Sequence, residues 1–317
     1  MPSNILFSQF SFRFHSGANS GIGYSSTQLL TNHGMHVVMA CRNLKKCEAA
    51  RTTLTKPKLA TCMFLDLASL PSVKSFATDF AKYSVRLDVL LLNGGIIAPH
   101  EIIQPFNIEK TFLVNYLSHF LLTKLLLPLL KHTSNLSSNN FGARIISVSS
   151  DAHAYSYKEG ILGSALSIDS INNPSLTNVA QNYAQAKLAN IMLTTELNNQ
   201  LDENSKHVYA NAAHPGLVAT NLFLNSFLRL GFSRSTASII QYWFENILTT
   251  FGIAFDLKEG AMTQVYLCLS MDVVNNNYKG LFFVPIAGIA PADAFVSNRT
   301  LTKNLYELSN RLVEEYL

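Results

Sequence analysis

Charge is scarce in this sequence. Asp, Glu, Lys and Arg make up 14% of its 317 residues, where typical soluble domains carry about 25%. The balance is mildly basic, with a formal net charge of +4. The basic residues form no stripe, so a nucleic-acid partner is not expected. Cysteine is sparse too. Cys41, Cys47, Cys62 and Cys268 include no CxxC pair. That removes the usual zinc and dithiol motifs, and the four are expected to be reduced, buried thiols of a cytosol-facing protein. No run of about 18 uncharged apolar residues occurs. Leu113–Leu130 comes nearest but contains Asn115, His119 and Lys124, and reads as a buried helix. The N-terminus lacks the basic start and apolar core of a signal peptide. Ser150 is not set in a GxSxG elbow, which argues against an α/β-hydrolase. His153 and His214 have no acid or cysteine at metal-ligand spacing and read as loop histidines, and Asp151 and Asp169 as surface residues. No metal site is expected.

Apolar residues are abundant, at 48%, which suggests an apolar pocket or a membrane-facing patch. Met35–Cys41, Thr61–Leu67, Leu87–Leu92 and Ala143–Val148 are short apolar runs of the kind that form strands buried on both faces. Between and after them lie helical stretches at Ser25–Asn32, Lys45–Leu54, Pro71–Tyr83, Ile108–Lys131 and Tyr183–Leu201, the last followed by a strand at His207–Ala213. This alternation implies right-handed crossovers and a doubly wound α/β sheet. No linker divides the chain, so one domain is expected. Its cofactor half spans about 10–150, and its catalytic and substrate half about 151–300. The polar segment His132–Asn140 reads as a surface loop.

Three glycines stand in Ser16-Gly17-Ala18-Asn19-Ser20-Gly21-Ile22-Gly23, between a strand and a helix. Glycine permits positive φ and a close backbone approach, so such a turn can receive a pyrophosphate at a helix N-terminus. The spacing is GxxxGxG rather than the GxGxxG fingerprint. The second strand ends Ala40-Cys41-Arg42-Asn43, with no acid to bind ribose hydroxyls. An Arg there suits the 2′-phosphate of NADP, so NADP(H) is expected ahead of NAD(H). Tyr183 and Lys187 share one helix face, where a cation beside a phenol should lower its pKa and equip it for acid–base work. Ser149-Ser150 follows the Ala143–Val148 strand at the sheet's carboxyl edge, where open α/β sheets bind ligands.

Together these motifs resemble the short-chain dehydrogenase/reductase family, and within it the retinol-dehydrogenase and polyprenol-dehydrogenase-like branch. The resemblance runs from about Ser16 to Pro285 and implies a Rossmann-type fold. Gly17, Gly21 and Gly23 match the family's glycine turn. Asp66-Leu67 matches the adenine-contacting position, and Asn93-Gly94-Gly95 the Asn-Ala-Gly after the fourth strand, with Gly94 in place of Ala. Asn115 matches the helix Asn that positions a proton-relay water. Ser150, Tyr183 and Lys187 match the catalytic Ser, Tyr and Lys. Pro215-Gly216, with Thr220 beyond, matches the segment that closes over nicotinamide, and Glu259-Gly260-Ala261 the start of the following helix. The implied roles are Tyr183 as acid/base, Lys187 as pKa-lowering and ribose-holding cation, Ser150 as the group orienting the substrate oxygen, and Asn115 as water carrier. The long gap between Ser150 and Tyr183 fits lipophilic-substrate branches.

One stretch departs from the pattern. Phe10, Phe12 and Phe14 alternate with Ser11, Arg13 and His15, where a central strand should be apolar on both faces, and an unpaired buried Arg13 would be costly. A divergent or mis-spliced N-terminus is expected, without the branch's N-terminal anchor helix. The expected activity is interconversion of a lipophilic alcohol and its ketone or aldehyde. The alternative is a cofactor-binding pseudoenzyme or interaction protein with a defective first strand. The apolar segment 222–257, with an amphipathic helix around Ile239–Leu248, is expected to form a substrate lid and a peripheral membrane contact. That contact would be with endoplasmic reticulum, lipid droplet or another internal membrane. A homodimer is also expected.

Overall fold

Alternate residues of each apolar run go to opposite faces of one sheet. A computed structural model describes residues 12–136, 140–162, 167–201, 205, 207–218, 233, 235–236 and 255–317, with the backbone alone for 12–15. Its elements begin with β1 (Phe12–Ser16), α1 (Gly21–Asn32), β2 (His36–Cys41), α2 (Leu44–Thr52), β3 (Ala60–Phe64), α3 (Leu70–Tyr83) and β4 (Val89–Leu92). A small hairpin, β5 (Ile102–Ile103) with β6 (Ile108–Glu109), leads into α4 (Lys110–Phe112), a π-helical turn at Leu113–Leu117, and α5 (Ser118–Ser134). Then come β7 (Ala143–Val148), α6 (Ile168–Asn172), α7 (Val179–Gln200), β8 (Val208–Ala213), a helix here labelled α8 (Glu259–Leu269), β9 (Phe282–Val284), β10 (Gly288–Ala290) and α9 (Arg299–Val313).

The large sheet runs β10-β9-β8-β7-β4-β1-β2-β3. Its pairs are parallel except β10 with β9. In β2, Val38 and Ala40 enter the apolar cluster built with α3, α5 and α7. Val37, Met39 and Cys41 enter the cluster built with α1 and α8. Helices on both faces explain why these strands are apolar throughout. The long apolar helical run Lys110–Ser134 meets the length and composition of a membrane span, yet most of it is buried in the first cluster.

Two expectations are corrected and one is refined. The first strand is intact as backbone. It pairs with β2 from Phe12↔His36 to Ser16↔Ala40 and with β4 from Arg13↔Val89 to His15↔Leu91. Parallel ladders are built from backbone groups, so the alternating side chains do not prevent them. The helix expected over Ile108–Lys131 runs continuously from Lys110 to Ser134, and it carries a π turn at Leu113–Leu117 centred on Asn115. The cysteines are not four thiols. Cys47 on α2 and Cys62 on β3 form a disulfide with Cα atoms 6.0 Å apart, because α2 packs directly on β3. Cys41 and Cys268 are buried and lie outside the disulfide. The helix expected around Ile239–Leu248 lies outside the described residues.

Candidate active site

β1 and β4 are sheet neighbours whose crossovers leave in opposite directions, and this opens a crevice at their carboxyl ends. The turn after β1 packs against the turn after β4. Ser16 Oγ accepts hydrogen bonds from the backbone N–H of Asn93 (3.0 Å) and Gly94 (2.8 Å), while Asn93 Nδ2 donates to the Ser16 carbonyl (3.2 Å). The contact requires glycine. A Cβ on Gly23 would lie 2.1 Å from the Gly17 carbonyl oxygen, and one on Gly94 would lie 2.7 Å from Leu67 Cδ1. Gly17 also takes φ +68, in the left-handed region. Helix α1 starts here, with no side-chain cap from Ser20 and no acid in its first turn. Its first N–H groups therefore face the crevice with neither cap nor carboxylate, as an anion site requires.

Asn115 sits in the π turn. Its Oδ1 accepts from the Ile96 N–H (2.7 Å) and its Nδ2 donates to the Ile96 carbonyl (2.8 Å), so its amide holds the Gly94–Ile97 loop. One turn on, His119 Nε2 lies 3.1 Å from Ser16 Oγ and Nδ1 lies 3.2 Å from the Asn115 carbonyl. Ser16 Oγ already accepts two N–H groups, so its own proton goes to Nε2, and Nδ1 carries the ring proton. Burial first, then the Lys187 charge, pushes His119 down to about 3.

Ser150 lies two residues beyond β7 and caps the 3₁₀ turn Asp151–Tyr155, its Oγ accepting from the Ala152 N–H (3.2 Å). Helix α7 is capped by the Asn178 side chain, which accepts from the Gln181 N–H, and it carries Tyr183 and Lys187. The Ser150 side chain acts on the Tyr183 phenol and pulls its pKa down. Ser149 Oγ donates to the Lys187 carbonyl (2.7 Å), tying strand end to helix. Lys187 Nζ donates to the Val148 carbonyl (2.8 Å) and lies 5.5 Å from the Tyr183 ring centroid. The net lowering expected of a phenol beside a cation is not what burial leaves Tyr183 with. Burial pushes the phenol up to about 12, and the opposing pull comes from Ser150. Lys187 addresses the ring face and the backbone. Burial lowers its own ammonium to about 8.

These groups line one crevice of about 990 Å³, which includes Gly17, Ser20, Gly21, Ile22, Gly23, Asn93, Gly94, Gly95, Ser150, Tyr183, Lys187, Pro215 and Gly216. Asn115 reaches it through Gly95, whose Cβ would stand 3.4 Å from Asn115 Oδ1 and 3.6 Å from Lys187 Nζ. Asn19, Arg42, Asn43, Asp66 and Leu67 are not among the lining residues. Arg42 and Asn43 are exposed at the end of β2, and Asn43 caps α2 by accepting from Lys46 N–H (2.9 Å). Asp66 Oδ1 accepts from the Ala68 N–H of its own turn (3.0 Å). Thr220 lies outside the described residues. Sequence reasoning missed Ser16 and His119, and it passed over Asp151 with His214. Those last two line the same crevice and pair at 3.0 Å between Asp151 Oδ2 and His214 Nε2. Only His119 carried a signal, four residues beyond Asn115.

A doubly wound sheet with a glycine cradle at its switch point places the chain among dinucleotide-binding α/β proteins. Residues 15–165 match the short chain dehydrogenase family. The chain is 33% identical over 302 residues to the short-chain dehydrogenase TIC 32 A, chloroplastic, of Brassica napus, covering 94% of this chain and 87% of that one. It is 32% identical over 307 residues to human retinol dehydrogenase 13, covering 94% and 82%. An uncharacterised protein of Mycobacterium paratuberculosis superposes with a TM-score of 0.67 at 26% identity, over 97% of this chain and 94% of that one. The NADPH-bound carbonyl reductase from chicken fatty liver superposes with a TM-score of 0.60 over 90% and 100%, a likeness of fold at 19% identity. The chain belongs to the short-chain dehydrogenase/reductase family of nicotinamide-dependent oxidoreductases.

Proposed function

We propose that this protein is an NADP(H)-dependent oxidoreductase that interconverts a lipophilic alcohol and its ketone or aldehyde. The observation that carries this reading is the Ser150–Tyr183–Lys187 set, gathered beside the glycine cradle in one crevice. The nicotinamide cofactor, when bound, supplies the hydride chemistry. Gly17, Ser20–Gly23, Asn93–Gly95 and Pro215–Gly216 are the residues that would hold it. Tyr183, with its pKa near 12, is protonated at physiological pH and gives that proton to a carbonyl oxygen. Ser150 donates to the same oxygen and fixes its position. Lys187 keeps a positive charge beside the phenol, favouring the phenolate left after transfer.

The cofactor preference rests on charge. The first turn of α2 contains Lys45 and Lys46 but no acid, and Arg42 stands just before it. Cations at a helix N-terminus are unfavourable by some tenths of a kcal/mol, and a 2′-phosphate would offset them. The substrate end of the crevice, with Ile97, Tyr155, Val179, Ala180 and Leu217, is apolar and suits a hydrocarbon chain or ring. Retinol dehydrogenase among the relatives agrees with an alcohol of this kind.

The test is a screen of NADPH and NADP⁺ with retinoid, steroid and polyprenoid carbonyls and alcohols, run on wild type and Tyr183→Phe. The substitution should cut turnover by about 10²–10⁴-fold while NADPH affinity stays within twofold. A variant that keeps more than half the wild-type rate refutes the assignment.

A further inference from the structure

His153 does not line the crevice, yet it is buried directly beneath Ser150. The Ser150 carbonyl accepts two hydrogen bonds from this one residue, from its backbone N–H at 3.0 Å and its ring Nδ1 at 2.8 Å. The other ring nitrogen faces the backbone N–H of Asp293, which donates to Nε2 at 3.2 Å. An amide N–H can only donate, so Nε2 must be the acceptor and Nδ1 must carry the proton. Both nitrogens are therefore satisfied, and the tautomer is fixed by its partners. The ring packs edge-on against Phe282 of β9, with centroids 4.9 Å apart. Asp293 is itself fixed, because its carboxylate accepts from the Phe295 N–H at 2.9 Å.

This ties the 3₁₀ turn that starts at Ser150 to a segment 140 residues later in the chain. Ser150 Oγ accepts from the Ala152 N–H inside that turn, so the position of its oxygen follows from where the turn sits. The neighbouring Asp151 is tethered separately, to His214. The turn is thus held from below by His153 and from the side by His214.

We infer that His153 is a positioning residue for the reaction, acting through the Ser150 carbonyl to place the Ser150 hydroxyl against Tyr183 and the substrate oxygen. The inference rests on the proposed roles of Ser150 and Tyr183. A misplacement of about 1 Å of such a group can cost on the order of 10²-fold in rate, so loss of the clamp should show in kcat. It should leave cofactor affinity alone, since His153 touches none of the glycine cradle.

The experiment compares His153→Asn, which keeps a donor near the Nδ1 position, with His153→Gln, which keeps an acceptor near Nε2 and loses the donor to Ser150. Both are made in wild-type and Ser150→Ala backgrounds. NADPH binding is followed by nucleotide fluorescence, and turnover is measured with the best carbonyl substrate of the screen, per NADPH site. We expect His153→Asn to stay within about threefold of wild type and His153→Gln to lose about tenfold or more in kcat, both with unchanged NADPH affinity. In the Ser150→Ala background His153→Gln should cost nothing further, a result that packing damage alone would not give. Equal kcat for the Asn and Gln variants, or the same fold-loss from His153→Gln in both backgrounds, overturns the inference. Should His153→Asn fail to fold, the two-background comparison with Gln decides alone. Failure of the underlying reading looks different, because Tyr183→Phe would then turn over normally.

Discussion

His119 is neutral in the folded protein because its two partners and its burial leave no place for a second proton. Ser16 Oγ–H points at Nε2, Nδ1–H points at the Asn115 carbonyl, and burial and Lys187 both oppose charge. The unfolded chain binds a proton there below about pH 6.5, while the folded protein resists until about 3. The unfolded state therefore holds more protons between these values, and stability contributed by this site is lost as pH falls through that window, by about 1.4 kcal/mol per unit. Urea unfolding of wild type and His119→Gln at pH 7 and pH 5 checks it. The loss of stability between the two should be smaller in the variant by about 2 kcal/mol, and an unchanged difference would show that His119 does not carry the effect. Lys187 titrates in the other range. Its folded pKa is lowered to about 8 by burial, so the cost of burying its charge is present below that pH and relieved as pH rises toward 10.5. Catalysis should run the opposite way. Carbonyl reduction, as kcat/KM, should be flat below about 8 and fall above it as the ammonium is lost. With Tyr183 near 12, no phenol titration overlaps that limb. A kcat/KM profile flat from pH 7 to 9.5 would refute this assignment.

Helix α2 joins a part of the fold to the proposed cofactor site. Its N-terminus brings Arg42, Asn43, Lys45 and Lys46 together at the end of β2, while Cys47 fastens its body to β3 through Cys62. The bridge closes a loop of 15 residues, for which chain-entropy arguments give about 3 kcal/mol. Cys47→Ala/Cys62→Ala should therefore unfold at a lower urea midpoint, and reducing agent should lower the wild-type midpoint but leave the double variant unmoved. Arg42→Ala tests the other end. It should weaken NADPH binding by about fivefold or more and leave NADH unchanged, since loss of a charged phosphate partner costs about 1.5–3 kcal/mol before solvent screening. Equal affinity of wild type for NADPH and NADH would overturn the reading of Arg42. The two functions differ in how far the sequence exposed them. Arg42 announces itself by where β2 ends, and the strands β2, β4, β7 and β8 by runs of apolar residues. The disulfide does not, because spacing alone cannot say that a helix and an edge strand will meet. The π turn inside the long helix at Asn115 is equally hidden, since every residue from Leu113 to Leu117 is buried and no glycine or proline marks the place. Likewise Tyr183 and Lys187 could be picked out by their spacing, but the direction of the Tyr183 shift depends on burial, which spacing does not carry.

At the scale of the whole molecule, the scarcity of charge needs an explanation that the sheet alone does not give. The sheet and its helices account for the apolar strands and for α5. In sequence, 222–257 adds Phe223, Phe227, Phe232, Trp243, Phe244 and Phe251 among only four charges, Arg229, Arg234, Glu245 and Asp256. Described residues on either side of 219–254 meet beside the crevice. Val218 pairs with Phe255, the Phe255 N–H donates to the Leu217 carbonyl at 2.8 Å, and a Cβ on Gly216 would meet the Phe255 ring at 2.4 Å. The segment therefore leaves from, and returns to, the loop that carries Pro215 and Gly216 beside the substrate end of the crevice. A lipophilic substrate is dilute in water and concentrated in lipid, so an apolar segment beginning and ending at the crevice suits both a pocket wall and a contact with the membrane surface. We propose that 222–257 has both uses. Replacing two large apolar side chains by carboxylates should abolish lipid contact, since each loses about 1.5–3 kcal/mol of burial and adds a charge. Wild type should float with liposomes and reduce lipid-dispersed substrate faster than Trp243→Glu/Phe244→Glu. Both proteins should reduce a short water-soluble ketone at rates within about threefold, the apolar wall contributing little to a small substrate. If the double variant floats and turns over lipid-dispersed substrate as wild type does, the segment has no membrane role.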